Sequence, residues 1–468
     1  MRDIIISLII LGLLPVSFKR PFVGLVVFSW LAYMRVQDLT WGFAKHQRWS
    51  FYVAIVMVLG FVVSKERKRL FLPDIRTYLM LAFVIWVGIS LALSKGPVAR
   101  AFDFYIEFVK IIGIALFTTS VVTNRNRLRV MLWVIALSMG FFGIKSGLWG
   151  IANLGRVAII RGPGGMMYDN NDFSLALAMG VPMLFHLGWT ERNPDVKKAF
   201  FFAVPMTVIT VGLTRSRGGF LSVTTAISVL IWRSKNRLAG ILVGVCVAIC
   251  AFILAPSEYK DRLSTIRDYE NEGSAQGRIR AWGIGYRMAM DNPIFGVGFK
   301  KFGKNYLRYC LDPTQGELEG TMIIVAHNSY IQIWAEMGTP AILMYLSMIG
   351  LSFLSIWKVR RLAKRRYYTS WILNYSTMFE ASLLTFMVGS TFLNRAHFDL
   401  FYHWVALILV FERLSLKEMR DDQKYPERRL SADARLPIRQ VVTKGFVDKT
   451  GGSVLPGSRP GFQPAANG

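Results

Sequence analysis

Arginines, one histidine and a few glycines supply most of the chemistry this sequence has to offer. The turn Thr214-Arg215-Ser216-Arg217-Gly218-Gly219 joins two apolar runs. Two guanidinium groups at a helix junction, beside glycines that admit a close ligand, suit a phosphate. Snorkelling at a membrane interface, or anchoring of the fold, is the simpler explanation for such a pair taken alone. Upstream, Arg161-Gly162-Pro163-Gly164-Gly165 leads to Tyr168-Asp169-Asn170-Asn171-Asp172 and then into an apolar run. Asp and Asn favour N-caps, and Gly and Pro make the preceding turn, so the polar quartet is mainly structural. Arg161 is the more suggestive residue there. Further on, Gly277-Arg278-Ile279-Arg280-Ala281-Trp282 opens a helical stretch in which Arg278 and Trp282, four apart, share a face. A surface cation–π pair would account for those two. The remaining motif is Val325-Ala326-His327-Asn328-Ser329-Tyr330, holding one of five histidines in the chain. A solitary histidine is more often structural, yet an imidazole can act as a general base. Neighbouring arginines would lower its pKa and keep the ring neutral, ready to accept a proton.

Several other chemistries find little support. Gly298-Phe299-Lys300-Lys301-Phe302-Gly303-Lys304-Asn305 nearly matches a nucleotide-binding P-loop, but Asn305 stands where Ser or Thr would hold magnesium, and no strand precedes it. No HExxH, strict DxD or GxSxG pattern is present, so neither a metal nor another cofactor is expected. Asp268, Glu270, Glu272 and Glu336 are scattered, which leaves a carboxylate mechanism open. Cys246 and Cys250 lie one helical turn apart in an apolar run and read as small core residues, while Cys310 stands alone.

These residues must be positioned by membrane helices. Of 468 residues 53% are hydrophobic and 18% charged, which excludes a soluble multidomain enzyme, a disordered chain and a disulfide scaffold. Apolar runs fall near 4–18, 21–36, 49–63, 77–94, 102–122, 128–149, 172–189, 199–214, 218–232, 238–255, 338–357, 372–393 and 398–411. The net charge of +27 gathers in short clusters between them, at 65–69, 125–129, 233–237 and 358–366. That is the positive-inside pattern, so membrane lipids and not nucleic acid are the expected surroundings. An even number of runs separates these clusters, which places them all in the cytoplasm. Parity fails only at the start, where three runs precede the cluster at 65–69. One of the first two runs is therefore non-spanning or half of a bent hairpin, unless the N-terminus faces outward.

The reading is an all-α integral membrane protein of about twelve transmembrane helices. Residues 1–255 form a bundle of the first ten runs, 256–337 an outer loop region with short helices such as 278–291, and 338–412 the C-terminal spans. The outer loop is too short for a large core and is expected to pack on the membrane surface. Residues 413–468, rich in Gly, Pro and charge, read as a disordered cytoplasmic tail. Segments 95–101, 150–171, 214–218, 256–337 and 394–398 then share the outer face, and every motif above lies on it.

The ordered set GPGGMMYDNNDF, TRSRGGF, the Arg278-x-x-x-Trp282 pair, Pro293-x-x-Gly296-x-Gly298 and AHNSYIQ resembles the O-antigen ligase and polymerase superfamily of bacterial inner-membrane glycosyltransferases. It is most like the ligases, by motif over about 160–345 and by span layout over most of the chain. The resemblance implies transfer of a glycan from undecaprenyl diphosphate on the periplasmic side. The acceptor would be the lipid A-core oligosaccharide for a ligase, a Ser, Thr or Tyr side chain for a protein ligase, and another repeat unit for a polymerase. It makes His327 the essential histidine and Arg215, Arg217 and Arg278 diphosphate ligands, with Arg161 and Arg280 further candidates and Asn328, Asp169, Asn171 and Trp282 in support. One base and direct displacement would invert the anomeric centre without a metal. His397 and His403 are rivals for the base. A lipid-linked glycan transporter is the reading from another class. Within the runs, however, only Asp103, Glu107, Lys110, Lys145 and Glu380 stand out, whereas a transporter gathers ionisable residues near mid-membrane.

Overall fold

The computed structural model of the protein describes residues 1–64, 70–234, 236–238, 240–242, 273–319, 325–366 and 370–424. Cys246, Cys250, Asp268, Glu270, Glu272, the cluster at 65–69 and most of the run at 238–255 lie outside them. The chain divides into two compact units, Met1–Ser415 and Leu416–Gly468, and of the second only a helical start, to Lys424, is described.

The described chain is almost wholly helical. Its main helices in the first half are α1 (Arg2–Lys19), α2 (Pro21–Met34), α3 (Trp49–Val63), α4 (Ile75–Leu93), α5 (Ala99–Val121), α6 (Arg125–Ala152) and α7 (Asn170–Thr190). They are followed by α8 (Pro194–Leu213), α9 (Arg217–Arg233), α10 (Gly273–Asp291), α11 (Ser329–Arg366), α12 (Ser370–Ser390) and α13 (Asp399–Lys424). One antiparallel hairpin, β1 (Arg161–Gly164) and β2 (Met167–Asp169), precedes α7. Six helices, α4 to α8 and α11, are long and apolar enough to cross a membrane, and α2 and α3 are shorter apolar helices. This is a multi-pass membrane protein.

At its centre stands α7, with 83% of its span buried against α6, α8, α9 and α12. Two buried ion clusters tie the helix ends on the face that carries the basic loops. Glu380 accepts from Arg233 at 2.5 Å, from Arg360 at 2.6 Å and from the Trp357 indole at 2.9 Å. Glu412 accepts from Arg76 and Ser355, both at 2.6 Å, and from Lys358 at 3.3 Å. Such pairs specify which helix ends meet more than they add net stability.

The parity problem at the start has a structural answer. Asp3 accepts from the backbone N–H groups of Gly42 and Ala44, at 3.0 and 3.1 Å, so the start of α1 shares a face with the segment after α2. On that same face Arg35 lies against Gly164 and Gly165 of the hairpin. The α1–α2 turn sits opposite, where the Phe18 carbonyl is so near Gly60 that a Cβ there would come within 2.1 Å. Arg127 stacks over Phe22 at 5.2 Å on that side. The N-terminal end of α1 thus lies on the hairpin's face, and α1, α2 and α3 alternate in direction.

Two boundaries differ from expectation. Helix α11 begins at Ser329, not at 338, because Asn328 caps it; its Oδ1 accepts from Tyr330 and Ile331 N–H at 2.9 and 3.1 Å. The break falls at Gly338, in left-handed backbone at φ 79°, where a Cβ would lie 2.0 Å from the Ile294 carbonyl. The segment Pro293–Gly298 docks on that break, with Val297 N–H to Ala335 O at 2.9 Å and Thr339 N–H to Pro293 O at 2.7 Å. Helix α13 runs on to Lys424, past 412, since strong helix formers fill Glu412-Arg413-Leu414 and Lys417-Glu418-Met419. The outer segment also builds more core than its length suggests. Ala281, Ile284, Met288, Phe302, Tyr306 and Tyr309 form one cluster with Ala326 and Ala335. Lys301, inside the P-loop-like segment, is buried and donates to the Pro97, Gly96 and Lys95 carbonyls at 2.5, 3.2 and 3.3 Å.

Candidate functional site

Three connections on the hairpin's face are each fixed by a polar side chain at a helix start, and a fourth, the 394–398 turn, is bonded to them through Arg395. Asp169 caps α7, its carboxylate accepting from the Asn171 N–H and from the Asn171 side-chain amide, both at 2.9 Å. The same loop grips the α8–α9 turn. Asn170 Nδ2 donates to the Thr214 carbonyl at 2.9 Å, and Ser216 Oγ donates to Asn171 Oδ1 at 2.7 Å. Ser216 caps α9 in turn, accepting from Gly219 N–H at 3.1 Å. Arg215, at φ 53°, and Arg217 flank that serine, and both are exposed at the N-terminal end of the 17-residue α9. An anion there would meet two guanidinium groups and the positive end of a helix dipole. Gly219 has a packing reason of its own, since a Cβ would fall 2.2 Å from Ser174 Oγ on α7. Gly219 therefore seats α9 on α7, Gly218 faces Phe392 and Leu393, and the arginines are carried by that seat.

His327 occupies the third connection, at the end of the outer segment. Its backbone lies in left-handed space at φ 45°, a conformation costly for a residue with a Cβ. Neighbours on both sides hold it there. The Trp282 indole N–H donates to the Ala326 carbonyl at 2.8 Å, and Asn328 caps α11. Ser329 Oγ donates to Leu393 O at 2.8 Å and accepts from Arg395 N–H at 2.8 Å. The Arg395 guanidinium pairs with the buried carboxylate of Asp172 in the first turn of α7. A chain of contacts thus runs from the histidine turn through Ser329 and Arg395 to α7, and through Asn171 to the Arg215–Arg217 turn.

Burial of the His327 imidazole, helped by the Arg278 guanidinium, holds its pKa below the ordinary value, and the Asp169 carboxylate pulls the other way. The ring is therefore neutral at neutral pH. His327 is close enough to Arg278 and to Asp169 to feel the charge of each, and the Asn171–Ser216 bond ties the Asp169 loop to the Arg215–Arg217 turn. Arg161 is paired with Asp169 across the hairpin and lies 5.6 Å over the Tyr168 ring. Arg280 is engaged within the outer segment. It pairs with the buried Glu317 at 2.8 Å and donates to Cys310 Sγ at 3.2 Å and to the Asp312 carbonyl. Glu317 also accepts from Tyr306 at 2.7 Å, and these bonds with Arg280 hold its carboxyl below the usual range against its burial.

The rival histidines sit elsewhere. His403 has both ring nitrogens engaged, with Tyr33 Oη at 2.7 Å and Thr118 Oγ1 at 3.1 Å. His397 is wedged edge-on between Phe108 and Phe299, at ring distances of 4.9 and 4.7 Å, and burial keeps its pKa well below normal. Asp172 and Ser329 stand inside the sequence motifs without an assigned role, and Arg395 stands outside them. The Asn394-Arg395-Ala396-His397 turn had been placed on this face, but its partner Asp172 lies 223 residues away in sequence. Among the described residues no three His, Cys, Asp or Glu side chains are grouped as a metal site would require.

A multi-pass helical membrane protein with arginines and one clamped histidine gathered on a single face is the class defined by these observations. Residues 201–346, which hold Arg215, Arg217, Arg278, Trp282 and His327, match the family model described as O-antigen ligase. That segment belongs to the O-antigen ligase superfamily. Residues 1–191, with Arg161, Asp169 and Asn171, match a family of unknown function (DUF5935). A search of curated proteins finds no match to the chain.

Proposed function

We propose that the protein is an O-antigen ligase of the bacterial inner membrane, with about twelve crossings and its active site on the periplasmic side. It moves a glycan from undecaprenyl diphosphate to the lipid A-core oligosaccharide. In this reaction the anomeric carbon's bond to the diphosphate oxygen breaks and a bond to the acceptor oxygen forms, with inversion. His327 takes the proton from the acceptor hydroxyl, and the bonding pair leaves with the lipid diphosphate. Arg215, Arg217 and Arg278 bind that diphosphate and stabilise the charge it gains, so no metal is needed.

The observation that carries this reading is the placing of a neutral histidine, on a clamped left-handed turn, beside Arg278 and tied through Asn171 to Arg215 and Arg217. Purified protein given the lipid-linked glycan should transfer it to the lipid A-core and should continue in excess EDTA. Transfer only to a Ser, Thr or Tyr side chain would make it a protein ligase, and transfer only to a second glycan repeat a polymerase. Failure with all three acceptors would contradict the enzyme reading and favour transport of the lipid-linked glycan.

A further inference from the structure

Helix α5 carries an unusual face for a membrane span. Asp103, Glu107 and Lys110 recur at helical spacing on one side of it, and all three are exposed. Glu107 and Lys110 form an ion pair at 2.6 Å with 67% and 51% of their side chains still uncovered. Ile106 and Gly113 share this side, Ile106 exposed and Gly113 with no atom within 4 Å of where its Cβ would be. Phe108, Ile112 and Ala115 point the other way and are buried in the bundle.

Depth makes the charges costly. At a rise of about 1.5 Å per residue, Lys110 lies some 16 Å below the Ala99 end of the helix. Phe108 packs at 4.9 Å against His397 of the outer turn, so the stripe starts near the outer level and Lys110 stands at its deeper end, inside the apolar run. The span is 33% buried, so this face meets whatever surrounds the protein. By contrast α3 presents Ile55, Val58, Leu59 and Val62 to its surroundings, as a lipid-facing helix should. Charged groups inside a membrane almost always face protein or a water-filled cavity.

The stripe also has the pattern of a helix contact. Residues 103, 106, 110 and 113 alternate steps of three and four, the spacing of a two-helix seam. Gly113 is the small residue that lets two backbones approach. The stripe carries both signs of charge, so it complements itself. Under a two-fold axis along the membrane normal, each α5 faces its copy at equal depth. Lys110 of one copy then stands within one turn of Glu107 of the other. We propose that the Asp103–Glu107–Lys110–Gly113 stripe is the interface through which a second copy of this chain docks in the membrane.

The test uses full-length protein in native membranes, with the three native cysteines changed to serine. Ile106→Cys and Gly113→Cys should each form a crosslinked dimer on mild oxidation, whereas Leu59→Cys on α3 should not. Glu107→Lys and Lys110→Glu should each reduce the dimer fraction several-fold, and the two together should restore it. Three results would overturn the proposal. The first is no dimer at 106 or 113. The second is a crosslink to a different protein. The third is a cysteine at 107 that reacts with a water-soluble maleimide without dimerising, which would make the stripe the wall of a hydrated groove.

Discussion

His327 works as a base only if it is neutral and aimed, and one short turn supplies both conditions. Its ring is partly withdrawn from water beside Arg278, which disfavours the imidazolium, while Asp169 favours it. The two neighbours therefore make opposite predictions for the acid limb of the pH–rate profile. Arg278→Ala removes a positive neighbour, so the histidine pKa rises and activity should fail at a higher pH than in the wild type. Asp169→Asn removes a negative one, so the limb should move to lower pH. Steady-state rates between pH 4 and 8 would read both, and shifts of the same sign would mean that the limb reports another group. At this scale the sequence was legible in part. The histidine and the arginines stood out by type and place, but the left-handed backbone of His327 is invisible in a string of letters.

Helix starts do most of the positioning, and several were readable because Asp169, Ser216 and Asn328 are capping residues directly before apolar runs. What joins the starts to one another was not readable, because the pairs are far apart in sequence. Trp282 reaches Ala326 across 44 residues and Arg395 reaches Asp172 across 223. Trp282→Phe keeps most of the packing but leaves the Ala326 carbonyl without its donor, a loss of about 1–3 kcal/mol when such a group stays buried. We expect that variant to lower kcat with the donor KM nearly unchanged, as steady-state kinetics would show; an unaltered kcat would leave the tryptophan with packing alone. Arg395→Asp and Asp172→Arg should each impair folding and transfer, because each sets two like charges together at a site where Asp172 is buried and Arg395 partly so. Combining them should recover thermal stability and part of the activity. No recovery in the double variant would argue against the pair as the link between the histidine turn and α7.

The whole molecule separates a basic face from a face that carries the site, and the charge pattern made that division legible from the apolar runs alone. The start of the chain was left undecided, since three short runs can be threaded in more than one way. Contacts of Asp3 with Gly42 and of Arg35 with the hairpin settle it. Cysteines at 41 and 319 should therefore label together with a membrane-impermeant thiol reagent on intact cells, and those at 126 and 361 should stay protected. Labelling at 41 without 319 would overturn the assigned sidedness. The central claim, a histidine base served by an arginine-bound diphosphate, is tested most directly by single-turnover transfer in His327→Asn alongside donor binding to the same protein. Asparagine tolerates left-handed backbone, so the turn should survive. The donor should bind as in the wild type, while transfer falls about 10²–10⁴-fold, the usual worth of general-base catalysis. A variant that keeps more than about a tenth of the wild-type rate, or that no longer binds the donor, would contradict His327 as the base.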